Sequence, residues 1–302
     1  MESSASLCLF VPAFSLHPPP RGLYFPLFMR IAYQGEPGAF SEAAAGIIQP
    51  QAATIPCKSF EEVFDAVSRG SVSHGIVPIE NSIGGSIHRN YDLLLEHELP
   101  IVGEVELKVE HALLAMPGVA LEDVRRVYSH PQALAQCERF LQSLPGVEVV
   151  ATYDTAGSGK MIREGAVKDA AAIASARAGA IFGLDVLRSG IQDYEANITR
   201  FLLISKRPVP LGTPDKTSIV VSLGNEPGSL FKALSVFALR NIDLTKLESR
   251  PIRGRPWEYL FYIDLGIARE ELQCARALVH LGEFARSLRT LGTYERWKGS
   301  GQ

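Results

Sequence analysis

The sequence predicts an α/β protein with two similar lobes, followed by a smaller unit of the ferredoxin-like type. Short apolar runs alternate with helical stretches from residue 30 to about residue 204, which is typical of parallel or mixed α/β sheets. This alternation falls into two successions of nearly equal length. A proline-containing segment over residues 207–216 then precedes a region with a different order of elements.

The first lobe begins with a strand and the turn Gly35-Glu36-Pro37-Gly38. Ser59 and Glu62 form a capping box that marks the start of its second helix. The predicted strands cover residues 30–33, 53–56, 75–79 and 101–107, and the predicted helices cover residues 41–48, 60–67 and 87–96.

The second lobe has the same style, with Pro131 in the first turn of a helix and Gly183 at the end of another. Its predicted strands cover residues 112–115, 126–128, 147–151 and 170–173, and the stretch 197–204 comes last; its helices cover residues 131–144, 155–164 and 176–182. Two lobes of this kind predict a cleft between them, where small ligands bind.

The C-terminal region reads βαββαβ, which is the ferredoxin-like arrangement. Its strands are predicted at residues 217–223, 243–249, 259–264 and 287–294, and its helices at residues 228–239 and 271–281. Residues 1–28 show no helical or strand period, and we interpret them as an extension outside the fold. They are either a transit peptide or the result of a start assigned upstream of Met29.

Composition excludes several classes of protein. The net charge of -3 gives no electrostatic reason to expect nucleic acid or an anionic membrane as a partner. The four cysteines are scattered without a CxxC pair, so neither a zinc site nor a disulfide framework is indicated. No apolar run is long enough to span a bilayer. We expect a cytoplasmic protein, with the plastid stroma as the alternative if residues 1–28 belong to a transit peptide.

The stretch from Asn197 to Ile204 is the most informative part of the chain. Its apolar second half predicts a buried strand, and Thr199 and Arg200 lie at the mouth of that strand. A hydroxyl and a guanidinium there suit a ligand cleft, because rigid strand ends hold functional groups in place. The alternative is a strand whose N-terminal end is simply solvated.

Three strand-to-helix turns carry small or hydroxyl residues, at residues 38–41, 81–86 and 154–158. Backbone N–H groups and the helix dipole make such turns good sites for anions. Three of them near one cleft would suit a small acid with two carboxylates. The alternative is ordinary helix capping by Ser and Thr.

Polar residues also follow two predicted strands, at Asn81 and Ser129, and Gln136 lies further along the helix after the second of them. Open α/β sheets bind ligands at this end of the strands. His130, which precedes a helix-starting proline, is interpreted as a structural hydrogen-bonding residue. The chain lacks a nucleophile elbow, a Walker or Rossmann glycine pattern and a metal-ligand spacing. We therefore expect a cleft that orients a reactive substrate and supplies one proton.

In this order, the motifs resemble the prephenate dehydratase family. The resemblance extends from Met29 to about Trp297. It rests on these segments: Tyr33-Gln34-Gly35-Glu36-Pro37-Gly38-Ala39-Phe40-Ser41, Pro78-Ile79-Glu80-Asn81-Ser82, Ser129-His130-Pro131-Gln132-Ala133-Leu134, Asp154-Thr155-Ala156, Thr199-Arg200-Phe201 and Glu248-Ser249-Arg250-Pro251.

The resemblance implies a catalytic region at residues 29–206 with two lobes like type II periplasmic binding proteins, a linker at residues 207–216 and an ACT regulatory domain at residues 217–297. It implies that prephenate is converted to phenylpyruvate with loss of carbon dioxide and water, without a cofactor or metal. Thr199 matches the catalytic threonine. The residues expected to bind the substrate are Asn81, Ser129, Gln136, Thr155, Arg200 and Phe201.

The resemblance also implies L-phenylalanine as an allosteric effector, held in a homodimer or homotetramer. The residues expected to bind it are Gly228, Leu230, Glu248, Ser249, Arg250 and Pro251. The family's Gly-Ala-Leu-Val motif is replaced here by Gly228-Ser229-Leu230-Phe231, which leaves the strength of feedback open.

The sequence is compatible with two alternative functions. Residues 84–94 and 130–138 are similar to plant arogenate dehydratases, whereas the short connection over residues 250–259 is similar to bacterial prephenate enzymes. One charged group in a pocket can reverse such a preference, and prephenate is the favoured substrate. The second alternative is a non-catalytic binding protein that joins a two-lobed receptor to an amino-acid sensor.

Overall fold

The computed structural model describes residues 29–252 and 254–299. The predicted extension over residues 1–28 lies outside the described residues. Within the two described ranges, no helix is long and apolar enough to cross a membrane. The predicted fold class is confirmed, since a two-lobed α/β region is followed by a βαββαβ unit.

The first lobe is built on a sheet whose first three long strands run parallel, and Ser59 begins α2 by accepting the N–H of Glu62 at 3.3 Å. Its elements are β1 (Arg30–Gln34), α1 (Phe40–Ile48), β2 (Ala53–Cys57), α2 (Phe60–Arg69), β3 (His74–Asn81), β4 (Gly85–Ser86), α3 (His88–His97) and β5 (Ile101–Lys108).

The second lobe has its own five-stranded sheet, in the order β10-β6-β9-β7-β8. Its elements are β6 (Ala112–Ala115), a short 3-10 helix (Leu121–Asp123), β7 (Arg126–Ser129), α4 (Pro131–Gln136), α5 (Glu138–Gln142), β8 (Glu148–Ala151), α6 (Thr155–Glu164), β9 (Ala170–Ala174), α7 (Ala176–Phe182) and β10 (Asp185–Ser189). The strand β10 was not predicted, because it lies at the sheet edge and four of its five side chains are exposed.

The helix predicted over residues 131–144 is interrupted at Cys137. The N–H of Cys137 bonds the carbonyl three residues back, at Leu134, which tightens the last turn of α4. The carbonyl of Gln136 instead accepts the N–H of Asp193 at 2.7 Å, and the Asp193 carboxylate accepts the N–H of Arg139. The break therefore fixes Gln136 against a segment that leads back to the first lobe.

The chain returns to the first lobe as β11 (Ile198–Ser205), which pairs antiparallel with both β3 and β5. The sequence had placed this strand at the end of the second lobe, and that placement was wrong. The second lobe is thus inserted between β5 and β11. The two crossing segments are bonded to each other, since the N–H of Val109 donates to the carbonyl of Asn197 at 2.7 Å.

The C-terminal unit has a four-stranded antiparallel sheet in the order β13-β14-β12-β15. Its elements are β12 (Lys216–Ser222), α8 (Ser229–Ala238), β13 (Leu244–Pro251), β14 (Tyr259–Leu265), α9 (Leu272–Gly282) and β15 (Ser287–Tyr294). One sheet face packs against the two helices through Ile219 and Val221. The opposite face packs against the first lobe through Val220 and Tyr262, so β12 is buried on both faces.

The sheets of the first lobe and the C-terminal unit join into one continuous sheet. The junction is a single parallel pairing between Gly292 of β15 and Ile101 of β5. A Cβ atom at Gly292 would lie 2.2 Å from the carbonyl oxygen of Ile101, so only glycine fits there. The sequence did not predict this docking.

Candidate active site

A cleft of about 390 Å³ lies between the two lobes. The first lobe and β11 line it with Gln34, Ala39, Phe40, Ser41, Ser59, Phe60, Glu61, Pro78, Asn81, Ile87, Val109, Thr199 and Phe201. The second lobe lines it with His111, His130, Gln132, Ala133, Gln136, Tyr153, Asp154 and Thr155. Of the residues predicted to act on or bind the substrate, five line this cleft: Asn81, Gln136, Thr155, Thr199 and Phe201.

Thr199 lies at the start of β11, directly opposite Asn81 of β3. Its hydroxyl oxygen accepts a hydrogen bond from Nδ2 of Asn81 at 2.9 Å. No described residue accepts a hydrogen bond from that hydroxyl. Because an alcohol carries one hydrogen, Thr199 is left with a proton to donate into the cleft.

Three side-chain amides form a closed cycle behind Thr199, and we call this set, Asn81, Gln136 and Asn197, the amide ring. Asn81 donates to Oδ1 of Asn197 at 2.7 Å. Asn197 donates to Oε1 of Gln136 at 3.0 Å, and Gln136 donates to Oδ1 of Asn81 at 3.2 Å. All three side chains are buried. The ring joins the first lobe, the second lobe and a crossing segment at one point.

The direction of the amide ring is set by the backbone. Oδ1 of Asn81 accepts the N–H groups of Ile83 at 3.0 Å and Gly84 at 2.7 Å. Since a backbone N–H can only donate, the oxygen of Asn81 must face this turn and its nitrogen must face Thr199. The amides of Asn197 and Gln136 are then oriented too, because each amide oxygen must face a donor and each amide nitrogen must face an acceptor.

Asn81 consequently has no hydrogen-bonding capacity left for a ligand. Both hydrogens of Nδ2 are engaged by Asn197 and Thr199, and the oxygen accepts three donors. The structure therefore favours a role for Asn81 in orienting Thr199 over the predicted role in binding the substrate directly. Gln136 retains one N–H, since only one of its two amide hydrogens is used.

Ser129, which was predicted to bind the substrate, is fully buried at the end of β7. Its hydroxyl donates to the carbonyl of Ile173 at 2.6 Å. It is not among the residues that line the cleft. In this arrangement it ties β7 to β9, and this placement does not support the predicted contact.

Arg200 was predicted to hold a carboxylate of the substrate, and the structure contradicts this prediction. Successive side chains of a strand point to opposite faces, so Arg200 points away from the cleft that Thr199 lines. Its guanidinium instead pairs with three carboxylates, at 2.7 Å from Glu104, 3.0 Å from Glu80 and 2.7 Å from Asp264 of β14. Arg200 therefore belongs to the contact with the C-terminal unit.

Two helix N-termini face the cleft, one from each lobe. Ala39 gives α1 no side-chain cap, and Phe40 and Ser41 of its first turn line the cleft. At the start of α6, Asp154 caps the N–H of Gly157 at 3.2 Å, while Thr155 lines the cleft. Such starts favour anions. The third predicted anion site, at residues 81–86, does not form, because Asn81 occupies its N–H groups.

The charged side chains that line the cleft are acidic. Glu61 and Asp154 are present, whereas no described lysine or arginine lines the cleft. Glu61 is paired with Arg89 at 2.7 Å, which holds the pKa of its carboxyl below the usual range. Carboxylates of a ligand must therefore rely on helix N-termini and neutral donors, and an ammonium group would meet carboxylates.

Two histidines line the cleft, and burial lowers the pKa of both. His111 is 2% exposed, its Nε2 lies 2.9 Å from Oε1 of Gln136, and its Nδ1 has no partner among the described residues. Nδ1 of His130 accepts the N–H of Gln132 at 3.2 Å, which agrees with its interpretation as a structural residue. Neither histidine is bonded to a described serine or threonine hydroxyl.

The residues predicted to bind an effector are distributed over both faces of β13 and the start of α8. Glu248 accepts from the hydroxyl of Ser86 at 2.7 Å, and Arg250 contacts both carboxylate oxygens of Asp92 at 3.0 Å. Both partners lie in the first lobe. Ser249 and Pro251 are exposed on the other face of the strand. Gly228, with φ +82°, precedes α8, and Leu230 packs against the core of the C-terminal unit.

Asn197 and His111 were not predicted to be functional residues, although both belong to the hydrogen-bond network behind Thr199. A signal existed for Asn197, which is one of several polar residues just before the buried strand β11. His111 is a single histidine before the short strand β6, and its sequence surroundings carry no comparable signal.

Comparisons with known proteins agree with this geometry. The sequence model of prephenate dehydratase matches residues 31–209, and that of the ACT domain matches residues 217–278. A protein of Arabidopsis thaliana named arogenate dehydratase/prephenate dehydratase 2, chloroplastic, is 52% identical over 277 residues, which cover 88% of this chain and 72% of that protein.

Two solved structures superpose with a TM-score of 0.81. Prephenate dehydratase from Arthrobacter aurescens, in complex with L-Phe, is 34% identical, and the match covers 89% of this chain and 90% of that chain. A protein described as GqqA, a novel type of quorum quenching acylase, is 38% identical, and the match covers 89% and 98% respectively.

Proposed function

Because the chain belongs to the prephenate dehydratase family, we propose that it converts prephenate to phenylpyruvate, with loss of carbon dioxide and water. The observation that carries the proposal is the Thr199 hydroxyl, which lines the cleft while its oxygen accepts from Asn81. The hydroxyl is thereby oriented as a donor toward a bound substrate.

The conversion of prephenate to phenylpyruvate requires little catalytic help beyond a proton donor of this kind. As the carboxylate leaves the ring as carbon dioxide, its electron pair enters the ring, and the C–O bond on the opposite carbon breaks. The departing hydroxide takes a proton and leaves as water, while the ring becomes aromatic. General-acid assistance at that oxygen typically contributes about 10²–10⁴-fold in rate. A threonine is a weak acid, so orientation in the cleft must supply much of the remainder.

The two helix N-termini suit the two carboxylates of prephenate. The starts of α1 and α6 face the same cleft from opposite lobes, and α1 has no side-chain cap. At α6 the ligand shares the helix start with the Asp154 carboxylate, which caps the N–H of Gly157. The free N–H of Gln136 adds a neutral donor. This arrangement holds a dianion without a cationic side chain.

Arogenate is a second candidate substrate, and two observations favour it. The Arabidopsis relative carries both names. The cleft also presents Glu61 and Asp154 and no described cation, which suits the ammonium group that arogenate has in place of the keto group. The proton donation at Thr199 is the same for both substrates.

Turnover of both substrates by one purified sample of the full chain tests the proposal. Ultraviolet absorbance follows the aromatic product, and chromatography separates phenylpyruvate from phenylalanine. A higher kcat/KM for prephenate supports the first candidate, and the reverse assigns arogenate. Binding of both compounds without consumption of either would contradict the proposal and support a non-catalytic binding protein.

The acylase described for GqqA is not favoured for this chain. A fold alone does not fix an activity. Acyl transfer by a hydroxyl nucleophile requires an adjacent base, and neither histidine of the cleft is hydrogen-bonded to Thr199 or to a described serine hydroxyl. Dehydration requires only the donor that the cleft provides.

We also propose L-phenylalanine as an effector that binds the ACT domain. The ACT match and the L-Phe complex of the Arthrobacter aurescens protein support this. Because Glu248 and Arg250 contact the first lobe, an effector that engages them would compete with that contact and so alter the catalytic region. Millimolar phenylalanine should change both kcat/KM and Tm. If neither changes, the proposed regulation is wrong.

A homodimer or homotetramer is proposed through the C-terminal unit. Phe231, Leu239 and Val279 are 76%, 80% and 68% exposed on its helical face. Exposed apolar side chains of this size indicate an interaction surface. Sedimentation should show an oligomer for the wild type and a lighter species for Phe231→Glu. A monomeric wild type would contradict the proposal.

A plastid location is proposed in preference to the cytoplasm, since the Arabidopsis relative is named as chloroplastic. A fluorescent fusion of the full chain in plant cells tests this. Fluorescence confined to the cytosol would contradict it.

A further inference from the structure

We propose that His111 and Asn197 are positioning residues that lock the amide ring in one direction, so that the Thr199 hydroxyl can act only as a donor. This inference rests on the proposed dehydration, because it explains how a weakly acidic hydroxyl is kept ready to protonate a leaving group. Both residues lie on the segments where the chain crosses between the lobes.

The chain passes between the lobes next to both of these residues. His111 comes three residues after the end of β5, and Asn197 comes just before β11. The two crossing segments are held together by the N–H of Val109 on the carbonyl of Asn197 and by the N–H of Ile191 on the carbonyl of His111, at 2.7 and 3.1 Å. The side chains of His111 and Asn197 therefore meet Gln136 where the chain crosses between the lobes.

The hydrogen-bond directions form one consistent chain from the backbone outward. The N–H groups of Ile83 and Gly84 orient Asn81, which donates to Asn197. Asn197 then has its nitrogen toward Gln136, whose oxygen must accept from it. The same oxygen lies 2.9 Å from Nε2 of His111, so that nitrogen must carry the hydrogen. Burial lowers the pKa of His111, which keeps the imidazole neutral with a single N–H.

His111 and Asn197 both oppose a turn of the Gln136 amide. If Gln136 turned over, its nitrogen would face the donating nitrogen of Asn197 and its oxygen would face the oxygen of Asn81. His111 would also have to move its hydrogen from Nε2 to Nδ1, which is buried and has no partner among the described residues. The ring could then reverse only by taking Asn81 from its backbone donors and turning its oxygen toward Thr199. In that state Thr199 would donate its hydrogen to Asn81, and this hydrogen would no longer be available to the substrate.

The experiment uses ¹⁵N-histidine NMR on the full chain, which has seven histidines. The signal of His111 is assigned by its absence from the spectrum of His111→Phe. The expected state of His111 in the wild type is neutral with hydrogen on Nε2. Asn197→Asp removes the donor to Gln136, so Gln136 should turn over and the hydrogen of His111 should move to Nδ1. A wild-type His111 with its hydrogen on Nδ1, or an unchanged tautomer in Asn197→Asp, would overturn the inference.

Kinetics provide the second readout. His111→Phe keeps the edge contact with Phe40, at 5.5 Å between ring centroids, but loses the donor. His111→Gln restores an N–H near the position of Nε2. We expect kcat to fall roughly 10- to 100-fold in His111→Phe and Asn197→Asp, KM to change less than about threefold, and His111→Gln to recover most of kcat. Equal losses in His111→Phe and His111→Gln would overturn the inference.

A failure of the proposed function and a failure of the inference about His111 and Asn197 would give different results. If the wild type consumed neither prephenate nor arogenate, the proposed function would be wrong, while the tautomer of His111 would still report the direction of the ring. If the wild type were active and the tautomer were not the expected one, only the lock would be wrong.

Discussion

The proposed role of Thr199 depends on the direction of its hydrogen bond with Asn81. The two residues lie opposite each other on β3 and β11, and the donor nitrogen of Asn81 faces the hydroxyl oxygen. Replacing that nitrogen by an oxygen would leave the backbone contacts of Ile83 and Gly84 intact but would reverse the bond to Thr199.

We therefore predict that Asn81→Asp lowers kcat roughly 10²-fold or more, because the Thr199 hydroxyl then donates to the new carboxylate instead of the substrate. Steady-state kinetics with both substrates measure this. Gln142→Glu is the control, since it makes the same chemical change at an exposed position of α5 and should leave kcat unchanged. Full activity of Asn81→Asp would contradict the assigned direction.

The prediction for Arg200 was wrong because it overlooked the direction of a side chain. The sequence identified a hydroxyl and a guanidinium as neighbours, but neighbours on a strand point to opposite faces. Alternation along β11 alone could have separated them. The partners of Arg200 could not have been predicted, because Asp264 lies 64 positions away in another unit of the chain.

Among the elements, the strands that are buried on both faces were the easiest to predict. The apolar runs of β9 and β12 identify them directly, whereas the exposed edge strand β10 has no such run. The apolar pattern of β11 showed that it is buried but could not show which sheet it joins, since periodicity carries no information on partners. The break at Cys137 was missed because it depends on Asp193, which comes from a distant crossing segment.

The turn before α1 gives a prediction about the contact between the two lobes. Gly38 has φ +92°, and a Cβ atom there would lie 2.6 Å from Cα of Ala178 in the second lobe. Gly38→Ala should therefore hold the lobes apart, lower Tm and raise KM. Gly118→Ala is the matched control, because its φ is +80° with nothing within 4 Å of the added atom.

Both substitutions carry a backbone strain of about 1–3 kcal/mol. Only Gly38→Ala adds the clash, which costs about 1–3 kcal/mol more. Calorimetry and steady-state kinetics measure the two effects. Equal Tm and equal KM in the two variants would show that the contact between Gly38 and Ala178 does not determine how closely the lobes approach each other.

In the whole molecule, the catalytic lobes and the C-terminal unit are joined by a cluster of buried and partly buried charges. Three cations, Arg200, Lys216 and Lys246, face three carboxylates, Glu80, Glu104 and Asp264. Glu80 and Arg200 directly adjoin Asn81 and Thr199 in the chain. The docking of the C-terminal unit therefore acts on the strands that carry the site.

Acid should weaken this docking. Burial alone would raise the pKa of Asp264, but Arg200, Lys216 and the Ser218 hydroxyl hold that pKa below its usual value. Burial likewise opposes the lowered pKa of Glu80, which Lys246 and Arg200 maintain. A carboxyl whose folded-state pKa is depressed stabilises the fold above its unfolded pKa of about 4 and loses this contribution as pH falls further.

We predict that Tm declines steeply below about pH 4, and that Asp264→Asn shows a shallower decline because one linked proton is removed. At pH 7 the free energy of unfolding of Asp264→Asn should be about 3–5 kcal/mol lower than that of the wild type, since Arg200 and Lys216 lose a buried partner. Calorimetry across pH measures both effects, with exposed Glu270→Gln as the control. Identical pH profiles for wild type and Asp264→Asn would contradict the account.

Above all, we propose that the Thr199 hydroxyl donates the proton that releases the hydroxyl of the substrate as water. The most direct measurement compares kcat and KM of Thr199→Val and Thr199→Ser with the wild type. We predict that Thr199→Val lowers kcat roughly 10²–10⁴-fold with KM within about threefold, and that Thr199→Ser retains most of the activity. A Thr199→Val variant that keeps its kcat, or loses binding as strongly as turnover, would contradict the claim.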